Sequence, residues 1–120
     1  MNASTHEQLA AYQDRYRQLA ERIAELGFIS AGSITSRYTK CATINCRCRA
    51  DPPRPHGPYW QWTAKVDGKT ITRRLSPTEA DLYQQWIDND RELRALIAQM
   101  RQISTKATSL ILQDQQNLQV

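Results

Sequence analysis

Strongly apolar residues are scarce in this chain of 120 residues, which has only two valines and one phenylalanine beside ten leucines and nine isoleucines. So few side chains make a thin core for a globule of this length, and a metal, a partner subunit or both are expected to add stability. Long apolar runs are missing too. The longest aliphatic stretch is Leu110-Ile111-Leu112, whereas crossing a bilayer takes about 20 residues. The opening residues, MNASTHEQ, lack the apolar segment of a secretory signal. The expectation is a cytoplasmic protein with no membrane association. Histidine is confined to His6 and His56, and no paired carboxylates accompany either. That argues against acid–base catalysis and so against an enzyme.

Cysteine occurs only at Cys41, Cys46 and Cys48, and His56 follows in a C-x4-C-x-C-x7-H pattern. In a reducing compartment an odd, clustered set of thiols reads as metal ligands rather than as a disulfide framework. Three thiolates and one imidazole complete a tetrahedral set for Zn²⁺, the expected cofactor. The run Asp51-Pro52-Pro53-Arg54-Pro55 forms a stiff extended spacer that can carry His56 back to the thiolates. Two alternatives stay open. One is a turn of reduced cysteines, with His56 hydrogen-bonding the neighbouring backbone. The other is a Cys/His nucleophilic pair, which here has no orienting carboxylate or oxyanion loop.

Charge is uneven along the chain. Between Arg37 and Arg74, nine cations face only Asp51 and Asp67, a balance of +7, while the rest of the chain carries −3. The positive field therefore belongs to the region around the cysteines. Arg47 and Arg49 alternate with the cysteines, so a metal-fixed backbone could present both guanidiniums as phosphate-binding forks. Arg37, Lys40, Arg54, Lys65 and Arg74 extend this candidate nucleic-acid surface, with Tyr59 and Tyr38 as hydroxyl or stacking contacts. A solvated basic surface without a ligand is the plainer alternative.

The patterning implies one α+β domain, mainly α, with two long helices in an antiparallel, coiled-coil-like hairpin joined by a small zinc-loop and β-hairpin unit. The first helix is expected over 4–27, from a capping box at Ser4 and Glu7 to a stop at Gly27 and Phe28. Its apolar seam is Leu9, Tyr12, Tyr16, Leu19, Ile23 and Leu26. The cysteine loop and hairpin occupy 33–75. Asp67-Gly68 favours a type I′ turn that pairs Val66 with Lys69, Ala64 with Ile71, Trp62 with Arg73 and Trp60 with Leu75. The tryptophans share a face with aliphatic residues and read as core against the helices rather than as base-stacking platforms. Arg73, on that same face, is expected over Trp62 or at the sheet margin. Ile34–Lys40 is expected to add a third strand, or the cysteine loop to brace the hairpin. A second capping box at Ser76-Pro77-Thr78-Glu79 opens a helix over 77–112, followed by a frayed tail over 113–120. That helix is expected to outrun the first, leaving Leu93, Leu96, Ile97, Met100 and Ile103 as a homodimer interface.

From Leu26 to about Ile103 the chain also resembles an uncharacterised bacterial and archaeal family of short proteins of unknown function, sometimes found near transposases. The resemblance rests on Leu26-Gly27-Phe28, Gly32-Ser33, Arg37-Tyr38, Cys46-Arg47-Cys48, His56-Gly57-Pro58-Tyr59, Gly68-Lys69 and Arg73-Arg74-Leu75-Ser76-Pro77. Where that family usually has a Gly-Lys-Pro-Gly run after its first cysteine, this chain has Ala42-Thr43-Ile44-Asn45. The resemblance implies that the cysteines, His56 and the Gly-Pro-Tyr run form a single site, and it points towards mobile elements.

The expected function is a zinc-stapled protein of a mobile element or phage that binds DNA or RNA and dimerises through its helices. The alternative is a protein-interaction module, an adaptor or inhibitor docking on an acidic protein surface.

Overall fold

A computed structural model describes residues 2–118. The element order is α1 (Ala3–Glu25), β1 (Ser33–Thr39), a short 3₁₀ turn (Arg47–Arg49), β2 (His56–Val66), β3 (Lys69–Leu75) and α2 (Pro77–Leu118). The expected α+β class with two long helices is observed. The chain forms two compact units, Phe28–Asp90 and the two helical segments on either side of it, with α2 contributing to both.

In the unit Phe28–Asp90, the Asp67-Gly68 turn sets the sheet. Both residues have positive φ, 52° and 78°, as a type I′ turn requires. Val66 consequently pairs with Lys69 and Trp60 with Leu75 in the expected register. β1 adds an antiparallel third strand on the other side of β2, in the order β1-β2-β3. One sheet face carries Trp60, Trp62, Ala64, Ile71 and Leu75 towards the first turns of α2. Trp62 lies 5.1 Å from Tyr83, and Tyr83 meets Trp86 edge-on at 5.0 Å. Ala64, Leu75, Ala80 and Ile87 are buried, and the tryptophans, half-buried, pack at the edge of this core. Arg73 does not lie over Trp62 in a cation–π pair. It reaches past the ring and donates from Nη1 to the Tyr83 hydroxyl at 3.1 Å.

The junction into α2 follows its capping box. The Ser76 N–H donates to Glu79 Oε1 at 3.0 Å, and the Glu79 N–H donates to Ser76 Oγ at 3.1 Å. Donation from the Ser76 backbone, then its hydroxyl, holds the Glu79 carboxyl below its ordinary value, and Arg73 adds to the effect.

In the helical unit, α1 and the later part of α2 run antiparallel. Arg22 pairs with Glu92 at 2.6 Å, and Arg15 Nη2 donates to Gln99 Oε1 at 3.3 Å. Tyr12 and Tyr16 share a groove with Ile103 and Ala107. Leu19 and Leu96 are fully buried. This alignment corrects the expected overhang. The stretch from Leu93 to Ile103 runs beside α1, and most of the extra length of α2 lies at its start, against the sheet. Leu96 is therefore core to its own chain, while Leu93, Ile97, Met100 and Ile103 stay half-buried.

Helix ends also differ from expectation. α1 is capped by Asn2, whose Oδ1 accepts from the Thr5 N–H at 2.8 Å, so Ser4 falls inside the first turn and makes no capping box with Glu7. At the other end Leu26 leaves the helix in an extended conformation, and Gly27 is not left-handed. Phe28 is 83 % exposed. Its carbonyl accepts from Asn89 Nδ2 at 2.8 Å, and the Ser30 N–H donates to the Trp86 carbonyl at 3.0 Å. These bonds direct the chain along α2 instead of letting Phe28 fold back. α2 continues past 112 to Leu118. Thr105, Thr108 and Ser109 lie within the helix, and their hydroxyls donate to carbonyls of the preceding turn. Of the tail expected over 113–120, residues 119 and 120 lie outside the described residues. Among the described residues, no helix is long and apolar enough to cross a membrane.

Candidate metal centre

The cysteine loop winds through two tight turns. The Cys46 N–H donates to the Thr43 carbonyl at 3.3 Å, which closes the four-residue interval after Cys41. The Arg49 N–H donates to the Cys46 carbonyl at 3.0 Å, and the resulting 3₁₀ turn brings Cys48 beneath the loop, fully buried. The proline arm is tied down where the Arg54 N–H donates to the Arg47 carbonyl at 3.1 Å. It then enters β2 three residues earlier than the expected start at Tyr59, with His56 paired opposite Thr39.

His56 owes its direction to an irregularity in β2. Arg37 pairs with Tyr59 and Thr39 with His56, so Gly57-Pro58 adds one residue to β2. An added residue reverses side-chain parity. His56 thereby shares the polar sheet face with Arg37, Thr39 and Tyr59 instead of the tryptophan face. Only glycine fits here: at φ 132°, a Cβ on Gly57 would stand 2.7 Å from the Arg37 carbonyl oxygen.

The four donor atoms converge within 4.8 Å of one another. Cys41 Sγ is 3.6 Å from Cys48 Sγ, and Cys46 Sγ is 3.1 Å from His56 Nε2. A tetrahedral ion at ordinary Zn–S and Zn–N lengths requires S···S edges of about 3.8 Å and S···N edges of about 3.6 Å. Both separations fall just inside these edges and no pair exceeds 4.8 Å, so the cluster is compatible with a metal site. The surroundings also favour charge on one sulfur. Cys41 is lowered from the ordinary 9.0 to about 6, chiefly by the Thr43 backbone and then by Cys46 and His56. Burial pushes the Cys48 thiol up, the response expected where no cation offsets a buried thiolate. As a nucleophilic pair, Cys46 and His56 lack a third group that orients the imidazole, and two further sulfurs crowd them.

Among the expected nucleic-acid contacts, Arg49 has a different task. Its Nε donates to the Cys41 carbonyl at 2.9 Å, bracing the loop, so Arg47 and Arg49 are not a matched pair of outward forks. Arg47, Arg54 and Lys40 are exposed on or beside the loop, and Lys65 is exposed near the hairpin turn. Arg37, Tyr59 and Arg74 instead come together on the polar face. With Thr39 and Gln61 they line a cleft of about 170 Å³. Arg74 Cζ lies 3.7 Å from the centroid of the Tyr59 ring. The alternation of β2 and β3 already places Gln61 beside Arg74, and alternation along β1 puts Thr39 on the face of Arg37, whereas the side taken by His56 could not be found without knowing of the added residue.

No curated protein and no solved structure matches the chain. A family model described as Domain of unknown function (DUF6788) matches residues 9–85, reaching further into α1 and stopping earlier in α2 than the motif resemblance over Leu26 to Ile103. Its span takes in the whole sheet and all four candidate metal donors, and the chain belongs to this DUF6788 family.

Proposed function

We propose that the protein is a non-enzymatic nucleic-acid-binding module whose cysteine loop is stapled by a structural zinc ion. The observation that carries this reading is the meeting of a closed S₃N donor set with a basic sheet face across one short stretch of β2, from His56 to Tyr59. A set of four protein donors leaves no open coordination position for catalysis, which suits a structural ion. Soft sulfur ligands with one imidazole select zinc over hard cations. Neither Arg37 nor Arg74 has an ion-pair partner among the described residues. Unpaired guanidiniums beside a rigid loop are the chemistry of phosphate binding.

Assembly is the second part of the reading. Leu19 and Leu96 are the fully buried side chains of the helical unit, and Leu93, Ile97, Met100 and Ile103 stay half-buried. A second copy covering this seam would supply the missing burial.

The test is binding of the zinc-loaded protein to random-sequence DNA and RNA between about 50 and 200 mM salt. Affinity falling steeply over that range is expected. Failure to bind either polymer, with salt-resistant capture of an acidic protein instead, would transfer the basic face to the interaction-module alternative.

A further inference from the structure

The polar sheet face is more than a diffuse positive surface. β1 and β3 flank β2 on opposite sides, and the register sets Arg37 opposite Tyr59 and Arg74 opposite Gln61. Two guanidiniums therefore approach one cleft from opposite sides, with Thr39 and Gln61 supplying neutral hydrogen-bonding groups. Arg74 lies 3.7 Å above the Tyr59 ring. Stacking of this kind restrains a long side chain through its π face while the N–H edges remain in the plane, ready for an anion. Less side-chain freedom is then lost when the anion arrives.

We propose that this cleft is a phosphodiester subsite, in which Arg37 and Arg74 grip one phosphate of a nucleic-acid backbone and Tyr59 acts as the positioning residue that presets Arg74. The proposal rests on the nucleic-acid reading above and names where the backbone is held. It moves the principal contact from the cysteine loop to the sheet. Arg47 and Arg54 on the loop then add only general attraction, and Arg49 is committed to the Cys41 carbonyl.

The test uses the full zinc-loaded chain with short labelled single-stranded DNA, single-stranded RNA and duplex DNA of mixed sequence, titrated at several salt concentrations. Arg37→Gln and Arg74→Gln should each weaken binding about tenfold or more, as for loss of a charge-assisted hydrogen bond. Each should also lower the log–log salt slope by about one contact, roughly 0.7 on single strands and 0.9 on duplex. Tyr59→Leu should weaken binding as Arg74→Gln does, whereas Tyr59→Phe keeps the ring and should bind like wild type. Metal content equal to wild type confirms that each variant retains the loop. The probe bound most tightly identifies the class of strand. If Arg37→Gln and Arg74→Gln bind like wild type while Arg47→Gln with Arg54→Gln does not, the subsite is overturned and the nucleic-acid reading stands. Wild-type binding from Tyr59→Leu overturns the positioning role. No binding of any probe by wild type overturns both readings.

Discussion

Nε2 of His56 lies 3.1 Å from Sγ of Cys46, although one residue begins a strand of the sheet and the other precedes the 3₁₀ turn of the loop. Loop and sheet are joined at this point by side chains whose shared chemistry is metal ligation. The joint is short in sequence and demanding in geometry.

Purified protein should carry about one zinc ion per chain, because three sulfurs and one imidazole nitrogen gathered within 4.8 Å suit tetrahedral Zn²⁺. Cys46→Ser should lower metal affinity by a large factor and loosen residues 41–56 while leaving most of the helical circular dichroism. Elemental analysis and hydrogen exchange measure the two effects. Metal-free protein with three freely titrating thiols and a fully protected loop would falsify the assignment.

Thiol reactivity in chelated protein should be graded. Cys41 falls from 9.0 to about 6, so its alkylation should approach a plateau above about pH 6, with Cys48 slowest because it is buried and shifted upward. The sign of the stability effect follows from linkage. A folded-state value below the unfolded one stabilises fully above pH 9 and loses that contribution as pH falls through about 6. Peptide mapping after timed alkylation across this window checks the order. Equal rates at all three cysteines would contradict it.

Gly57→Ala should destabilise the sheet unit by about 1–3 kcal/mol, since positive φ is strained for alanine and the new methyl meets the Arg37 carbonyl. Zinc affinity should fall with it, because His56 is the preceding residue. Gly68→Ala serves as the control. It carries the same type of backbone strain at φ 78° with open space around it, and should leave zinc affinity unchanged. Urea denaturation and competition with a chelator give the two readouts.

Leu19→Ala should cost about 2–5 kcal/mol as a fully buried large-to-small change. Ile103→Asp is the better probe of assembly, because Leu96→Asp would put a charge into the chain's own core. Sedimentation of wild type should show a dimer at micromolar concentration, with Ile103→Asp shifted towards monomer. A wild-type monomer there would remove the second copy from the functional reading.

Much of the fold could be read directly from residues whose constraints are local. Asp67-Gly68 dictates its turn, and alternation then determines the register of β2 with β3 and the face that carries the tryptophans. The Ser76 and Glu79 box is similarly local. The four metal donors were legible because their chemistry is narrow and their spacing compact. Other features depended on competition that no short pattern records. Asn2 wins the α1 cap over Ser4, and backbone ties to α2 carry the chain past Gly27 without a left-handed residue. Arg49 was legible as a cation but not as a brace, because its acceptor, the Cys41 carbonyl, lies eight residues away through two turns. The alignment of α1 with α2 was misjudged for a related reason. Length alone does not tell which end of a longer helix extends past its partner.

The extra residue at Gly57-Pro58 acts as a phase shift within a single strand. Downstream of it, odd-numbered residues of β2 from Tyr59 to Lys65 look out over the basic face. Upstream, that same face receives the even-numbered His56. The chain thus has two reading frames that agree only at this step. Changes in length within the proline arm 50–55 alter a tether without shifting this frame. Pairing β2 through Gly57-Pro58 without the irregularity would restore plain alternation, turn the even-numbered His56 towards the tryptophans and take the imidazole away from the three cysteine sulfurs.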